Sequence, residues 1–353
     1  MKKICFITMG NIYLAPYIEM YTQYIEGSYS VIYWNRENKN ENNNNNNFYN
    51  FDYEIKSTDK IKKVLGYIKF RKFVKNILQN NDFDLIIILQ TCGALLLSDI
   101  LIKYYSQRFI IDIRDYTSEH NPIIYYMEKK LFANAYSCVI SSHGYQEFLP
   151  PQKYYIVHNK RSLDSNRVKR IKNRIKKRKV LNISFIGFVN YQTQHKKLLL
   201  NLKNDKRFHL NFIGTRALEL QKFCKENNIN NVTLQGTFAP TEILTFYENT
   251  DFINNLYGNN NPSLDYALSN KLYFAAELNI PILTVDGTYM SQISKKYKFG
   301  ISIDVDDPNL GNKLIDYYES INWEKFDRKS VEFLKNIDIE QKEFIEMIKK
   351  SFK

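Results

Sequence analysis

The sequence predicts an α/β protein made of two consecutive parallel-sheet units. Three observations carry this expectation. In the first 160 residues, short apolar runs alternate with longer helical stretches, the pattern of strands joined by crossover helices. From residue 181 the alternation starts again, and its first three strand candidates each end in glycine. Between the two series lies 160-KRSLDSNRVKRIKNRIKKRK-179, in which Asp164 is the one acid. A chain of 353 residues accommodates two ordinary domains, and a hydrophobic fraction of 44% is enough to give each a core.

The elements follow in order. ICFITM (4–9) is a buried strand, a helix begins at Pro16, and YSVIYW (29–34) is a second strand. Residues 38–47, NKNENNNNNN, hold too little apolar surface to order themselves and are expected to form a flexible loop. A helix over 59–80 precedes the strand DLIIIL, a helix over 94–105 and the strand FIIDIR (109–114). A helix over 122–135, the strand CVISS (138–142) and KYYIVHN (153–159) close the first series. The second runs through strands 181–187, 209–214, 231–236, 251–257, 281–285 and 300–304, with helices near 194–204, 216–228, 240–248, 269–279 and 288–297. The tail from 309 is helical and amphipathic. The expected division is 1–160, a basic connector 161–179, a second unit 180–308, and C-terminal helices 309–353.

Composition narrows the function classes. A formal charge of +13 favours anionic partners. The connector reads as a solvated linker, an anionic-lipid contact or a nucleic-acid patch. No zinc-finger or RNA-binding signature accompanies it, so nucleic acid is not expected as a partner. Cys5, Cys92, Cys138 and Cys224 form no CxxC pair and read as free thiols of a reducing cytosol. The start, MKKICFITMG, has too short an apolar part for a signal peptide. Gln90, Ser98 and Asp99 interrupt 85-LIIILQTCGALLLSDILI-102, which fits a strand, turn and helix better than a membrane span. The expected location is cytoplasmic, with peripheral contact to the inner face of the membrane through 160–179.

In open parallel sheets ligands bind beyond the C-terminal strand ends. That rule points to Gly10-Asn11, to Gln90–Gly93, and to the segment from Arg114 to His120 in the first unit. In the second it points to the strand-end glycines Gly187, Gly214 and Gly236, which either let backbone approach a ligand or simply make turns. The stretch 269-SNKLYFAAELNIPIL-283 puts a capping residue and a lysine at a helix start. Free N–H groups, the positive dipole end and an ammonium then converge at one spot suited to a phosphate; a plain solvated lysine is the bland alternative. The aspartates of 304-DVDD-307 read as a turn and helix cap rather than a metal motif, and His143 and His158 as isolated structural histidines.

FIG, then NFIG, then LQGTFAPTEILTFYENTDFINNLY, then SNKLYFAAELNIPILT occur in the order found in family-4-like GT-B glycosyltransferases of bacterial surface polysaccharide synthesis, which the chain resembles over nearly its whole length. IIDIRDY, SCVISSHGYQEFL and IVHN in the first half are similar too. The resemblance implies two Rossmann-like domains facing across a cleft, with C-terminal helices. It implies transfer of a sugar from a nucleoside-diphosphate donor to a glycan or lipid-linked glycan, with no metal and with retention. Ser269, Asn270 and Lys271 would face the diphosphate, and Gly10, Asn11, Gly187, Gly214, Thr215 and Phe238 would line the donor. Where the family has a ribose-holding glutamate this chain has Phe274, so Glu277 becomes the substitute; Asp265 would grip the donor sugar. Asp115 and His120 are the candidate catalytic groups, with Arg114 and Glu119 toward the acceptor. A UDP-sugar 2-epimerase-like enzyme and a catalytically inactive basic scaffold are the rival readings.

Overall fold

The computed structural model describes residues 2–41, 47–55, 60–173 and 178–352. Residues 42–46 of the asparagine-rich run, residue 59 of the expected helix and 174–177 of the basic stretch lie outside the described residues. The chain forms two compact units: Met1–His158 with Ile339–Lys353, and Asn159–Asp338.

The first unit is a seven-stranded parallel sheet of β1 (Ile4–Thr8), β2 (Ser30–Asn35), β3 (Phe48–Asp52), β4 (Leu85–Leu89), β5 (Phe109–Ile113), β6 (Ser137–Ile140) and β7 (Tyr154–Ile156). The order is β3-β2-β1-β4-β5-β6-β7. β1, β2, β4 and β5 are buried at every position. That is why they read as unbroken apolar runs: helices cover both faces of a parallel sheet. The sequence did not announce β3, because FYNFD is a half-exposed edge strand with no such run. The expected helix 94–105 is two, Thr91–Leu96 and Ser98–Tyr104, broken at Leu97. The helix expected from Pro16 begins as 3-10 turns and is α only over Glu19–Thr22.

The helix Lys60–Asn80 buries Gly66, Phe70, Val74, Ile77 and Leu78. At Gly66 a Cβ would come within 2.6 Å of the Trp34 ring, so the helix lies directly on that indole. The last turns of the helix Trp323–Phe352 belong to this unit, where Phe344, Met347 and Ile348 pack with Phe6, Tyr21 and Val139. Glu340 contacts His143 Nε2 and His158 Nε2, both at 2.6 Å, so the two histidines expected to be isolated share one carboxylate. Burial pushes the Glu340 carboxyl up, but the two histidine hydrogen bonds outweigh it and bring it down to about 2.

The second unit is a six-stranded parallel sheet of β8 (Leu181–Ile186), β9 (Phe208–Ile213), β10 (Val232–Gln235), β11 (Phe252–Asn254), β12 (Ile282–Thr284) and β13 (Gly300–Ser302). The order is β10-β9-β8-β11-β12-β13. Neighbouring residues along a strand serve opposite faces. Phe185 and Phe212 join a core with Leu199 and Leu314, while Ile186 and Ile213 join another with Leu272 and Phe299. The basic stretch is part of this unit. Asp164 caps the helix Ser165–Lys172, Arg167 and Arg170 pair with Glu248 at 2.9 and 2.6 Å, and Lys172 pairs with Asp327 at 2.7 Å. Much of its charge is therefore answered internally.

Two of the three strand-end glycines are conformational necessities. Gly187 and Gly214 have φ of +131° and +129°, and a Cβ on Gly214 would lie 2.0 Å from the Gly187 carbonyl oxygen. Gly236 has ordinary backbone, and a Cβ there would make only an ordinary 3.6 Å contact with Leu218 Cδ1, so it serves as a simple turn residue. The aspartates of 304–307 make a turn, with Asp304 and Asp307 accepting from the Asp306 and Asn309 backbone N–H groups. No described group of three or more His, Cys, Asp or Glu is placed to hold a metal ion.

Gly214→Ala is expected to lower unfolding free energy by at least about 2 kcal/mol, from strained backbone and a backbone clash together. Urea denaturation beside Gly236→Ala, which should stay within about 1 kcal/mol of wild type, checks this.

Candidate functional site

The C-terminal ends of β8 and β9 and the start of the helix Asn270–Leu278 converge in the second unit. Ser269 caps that helix, its hydroxyl accepting from the Lys271 N–H at 3.3 Å. The close pass of Gly214 against Gly187 keeps the strand ends bare. A Cβ built on Gly187 would lie 3.8 Å from Lys271 Nζ, which places the ammonium at the end of β8. Lys271 is 2% exposed, not a solvated surface lysine. Its ammonium donates to the Tyr257 hydroxyl at 2.8 Å and sits 4.0 Å from the centroid of the Phe185 ring. Among the described residues it makes no ion pair.

A buried charge needs compensation. Here an aromatic face and a neutral hydroxyl supply part of it, and no carboxylate supplies the rest. His195, fully buried against Phe185 and Phe212, feels the same charge. Burial and the neighbouring Lys271 drive its pKa down to about 3, so it is a neutral imidazole. Neither ring nitrogen makes a well-formed hydrogen bond.

The other donor-side candidates divide. Thr215 is exposed beside Gly214, and its carbonyl accepts from Val189 N–H at 2.9 Å. Phe238 packs edge-on against Phe246 at 4.9 Å and is partly buried. Asp265 ends a short helix, Pro262–Asp265, with one carboxylate oxygen buried and unpartnered, and burial raises its pKa. Glu277 is not near the helix start. It lies six residues beyond Lys271, about 9 Å along the axis. It lines a cavity of about 860 Å³ with Lys160, Lys172 and Asp327, and burial raises its pKa to about 7. Phe274, at the position of the family glutamate, is core, packed on Tyr247 at 4.7 Å.

In the first unit the segment after β5 is tightly organised. Arg114 is buried and bidentate to Asp112, at 2.5 and 2.8 Å, and stacks over Tyr17 at 4.4 Å. Tyr21 donates to the same carboxylate at 2.6 Å. The Arg114 guanidinium is thus engaged within the unit rather than held open for an acceptor, as its sequence position had suggested. Glu119 is also buried. It accepts from Thr117 N–H at 2.7 Å and faces Glu128, which is wholly buried. Burial first, then the Glu119 charge, raises Glu128 to about 8. The two acids therefore hold a proton between them across neutral pH. Asp115 and His120 are exposed at the rim, with His120 Nδ1 bonded to the Tyr116 hydroxyl at 2.5 Å.

Gly10 and Asn11 follow β1 as expected, but the Asn11 side chain is spent locally. It donates to Asn35 and Glu41 at 2.7 and 3.0 Å and accepts from Arg36 N–H. The next two N–H groups, of Ile12 and Tyr13, both donate to the Glu41 carboxylate.

No family model matches the sequence, and no curated protein sequence matches it either. Solved structures do. Sucrose-phosphate synthase from Thermosynechococcus elongatus superposes with a TM-score of 0.72 at 10% identity, over 100% of this chain and 99% of that one. A glycosyltransferase from Rickettsia africae gives 0.64 at 11%, over 100% and 99%. HepE of Anabaena, solved with UDP-glucose, gives 0.63 at 12%, over 100% and 98%. The chain has the GT-B fold. Its sheets of seven and six parallel strands and its C-terminal helices are those of the GT-B architecture.

Within this GT-B chain, the residues that define the lysine's surroundings escaped sequence reasoning. Phe185 looked like one more apolar strand residue, and His195 like an unremarkable helix position. Tyr257, a hydroxyl just past β11, was the one available signal.

Lys271→Met keeps the buried stem and removes the charge. It is expected to raise unfolding free energy by about 1 kcal/mol or more, because an uncompensated buried ammonium is costly. Glu128 carries the pH prediction. Its folded pKa of about 8 exceeds the ordinary 4.5, so the folded state holds the extra proton between those values and loses stability as pH rises through them. Glu128→Gln should therefore lose less stability from pH 5 to pH 8 than wild type, by on the order of 1 to 3 kcal/mol. Denaturant titrations at the two pH values measure it.

Proposed function

We propose that the protein is a glycosyltransferase that moves a sugar from a nucleoside-diphosphate donor to a glycan or lipid-linked glycan acceptor. The observation that carries this reading is the buried Lys271 ammonium, without a carboxylate, at a capped helix start beside two bare strand ends. As the bond from the anomeric carbon to the phosphate oxygen breaks, negative charge grows on the leaving diphosphate. A fixed cation and oriented N–H groups stabilise that charge without reorganising. The compensation missing around Lys271 is then supplied by the donor itself.

In this reading no metal is required, the departing phosphate accepts the acceptor's proton, and configuration is retained. Asp115 and His120, exposed at the rim of the first unit, meet the acceptor, while Arg114 and Glu119 shape the loop that carries them. Asp265 is the carboxylate available to the donor sugar. The likeness to transferases does not favour the epimerase or the inactive scaffold.

The test is a melting-temperature screen against UDP, GDP, ADP and CMP. One of them should stabilise the wild type, and Lys271→Met should weaken that nucleotide about ten- to hundredfold, the loss of one charged hydrogen bond. No shift with any nucleotide, or unchanged affinity in the variant, overturns the reading.

A further inference from the structure

The helix Lys60–Asn80 has two apolar faces. One packs on the sheet through Gly66, Phe70 and Val74. The other consists of Ile61, Val64, Leu65 and Ile68, spaced i, i+3, i+4, i+7, and points to solvent with 46 to 75% of each residue exposed. At 100° per residue the two sets lie on opposite sides of the helix. No described residue covers the outer one. The same helix carries seven Lys and Arg residues and no acid. Lys72 and Lys75, both exposed, continue the outer face by two further turns. Among the described residues these two lysines have no carboxylate partner.

We propose that this face is a membrane-docking surface for an anionic bilayer. An apolar stripe edged by cations is the arrangement that lies in the headgroup boundary, with the side chains inserted and the lysines at the phosphates. The charge argues against a second copy of the chain. Two such faces apposed would bring like charges together without an acid on either helix to answer them.

The position of the face is informative. A crossover helix runs opposite to its strands, so the first turns of this one lie at the edge where β3 and β4 end. The loop after β5 leaves the parallel sheet at that same edge. On the same side of the sheet, Arg71 ties this helix to Asp99 at 2.7 Å. The helix Pro122–Ala133 also exposes Ile123 and Tyr126 in its first turns. Apolar exposure thus concentrates along one edge of the first unit, the edge that carries Asp115 and His120. The basic stretch 160–172, whose charges are largely paired within the second unit, is not the docking element. Docking stands independently of the sugar-transfer reading; its place beside that loop is what would bring a lipid-linked acceptor within reach.

The experiment is flotation of the full chain with vesicles of phosphatidylcholine alone and with an equal part of phosphatidylglycerol. Wild type should bind the mixed vesicles and not the neutral ones. Leu65→Glu with Ile68→Glu should reduce binding more than about tenfold, and Arg161→Gln with Lys169→Gln should leave it within about twofold. An unchanged melting temperature shows that the glutamate variant is folded, and unchanged nucleotide response separates docking from the donor site. The proposal is overturned if wild type stays unbound, or if the glutamate variant binds equally well. It is also overturned if wild type is a dimer by light scattering that the glutamate variant converts to monomer, since the face would then be a protein interface.

Discussion

The second unit is organised around a cation that has been taken out of water without a counter-ion among the described residues. Lys271 is held by a ring face and a phenol, both of which tolerate positive charge and neither of which cancels it. Everything adjacent conforms to that charge. His195 stays neutral beside it, the adjoining strand ends are glycine and add no side chain, and Ser269 fixes where the helix begins. The energetic cost falls on the folded state, and a bound anion would relieve it. Such local conflict between stability and site chemistry is what separates this lysine from the paired lysines elsewhere in the unit.

The first unit spends its charges differently. Asp112, Arg114 and Tyr21 form one closed buried network, and Tyr145 donates to the Arg114 carbonyl at 2.5 Å. Glu119 and Glu128 lie buried behind the same loop, where desolvation raises the pKa of both. These groups rigidify the segment from which Asp115 and His120 emerge. The two units therefore contribute opposite things: one a charge without a carboxylate, the other a buried arginine–aspartate–tyrosine network.

The fold was largely legible because parallel strands buried on both faces leave apolar runs that no loop resembles; β1 and β4 are of this kind. β3 was not, since an edge strand of mixed exposure has no such signature. The helix start that carries Lys271, with its Ser269 cap, was legible. Its surroundings were not, because Phe185 and Tyr257 act through tertiary placement that spacing along the chain does not encode. Arg114 misled for a related reason: a basic residue at a strand end reads as open to ligand, and only the coordinates reveal that Asp112, two residues earlier, engages it. Glu277 misled because one helix can carry residues of one motif to surroundings far apart.

Glu41 has a consequence of its own. Its carboxylate already occupies the backbone amides of Ile12 and Tyr13 and the Asn11 amide. Any anion arriving at the end of β1 meets a tethered competitor present at high effective concentration. Occupancy there is an exchange rather than a simple addition, and the segment bearing Glu41 must swing away for it to occur.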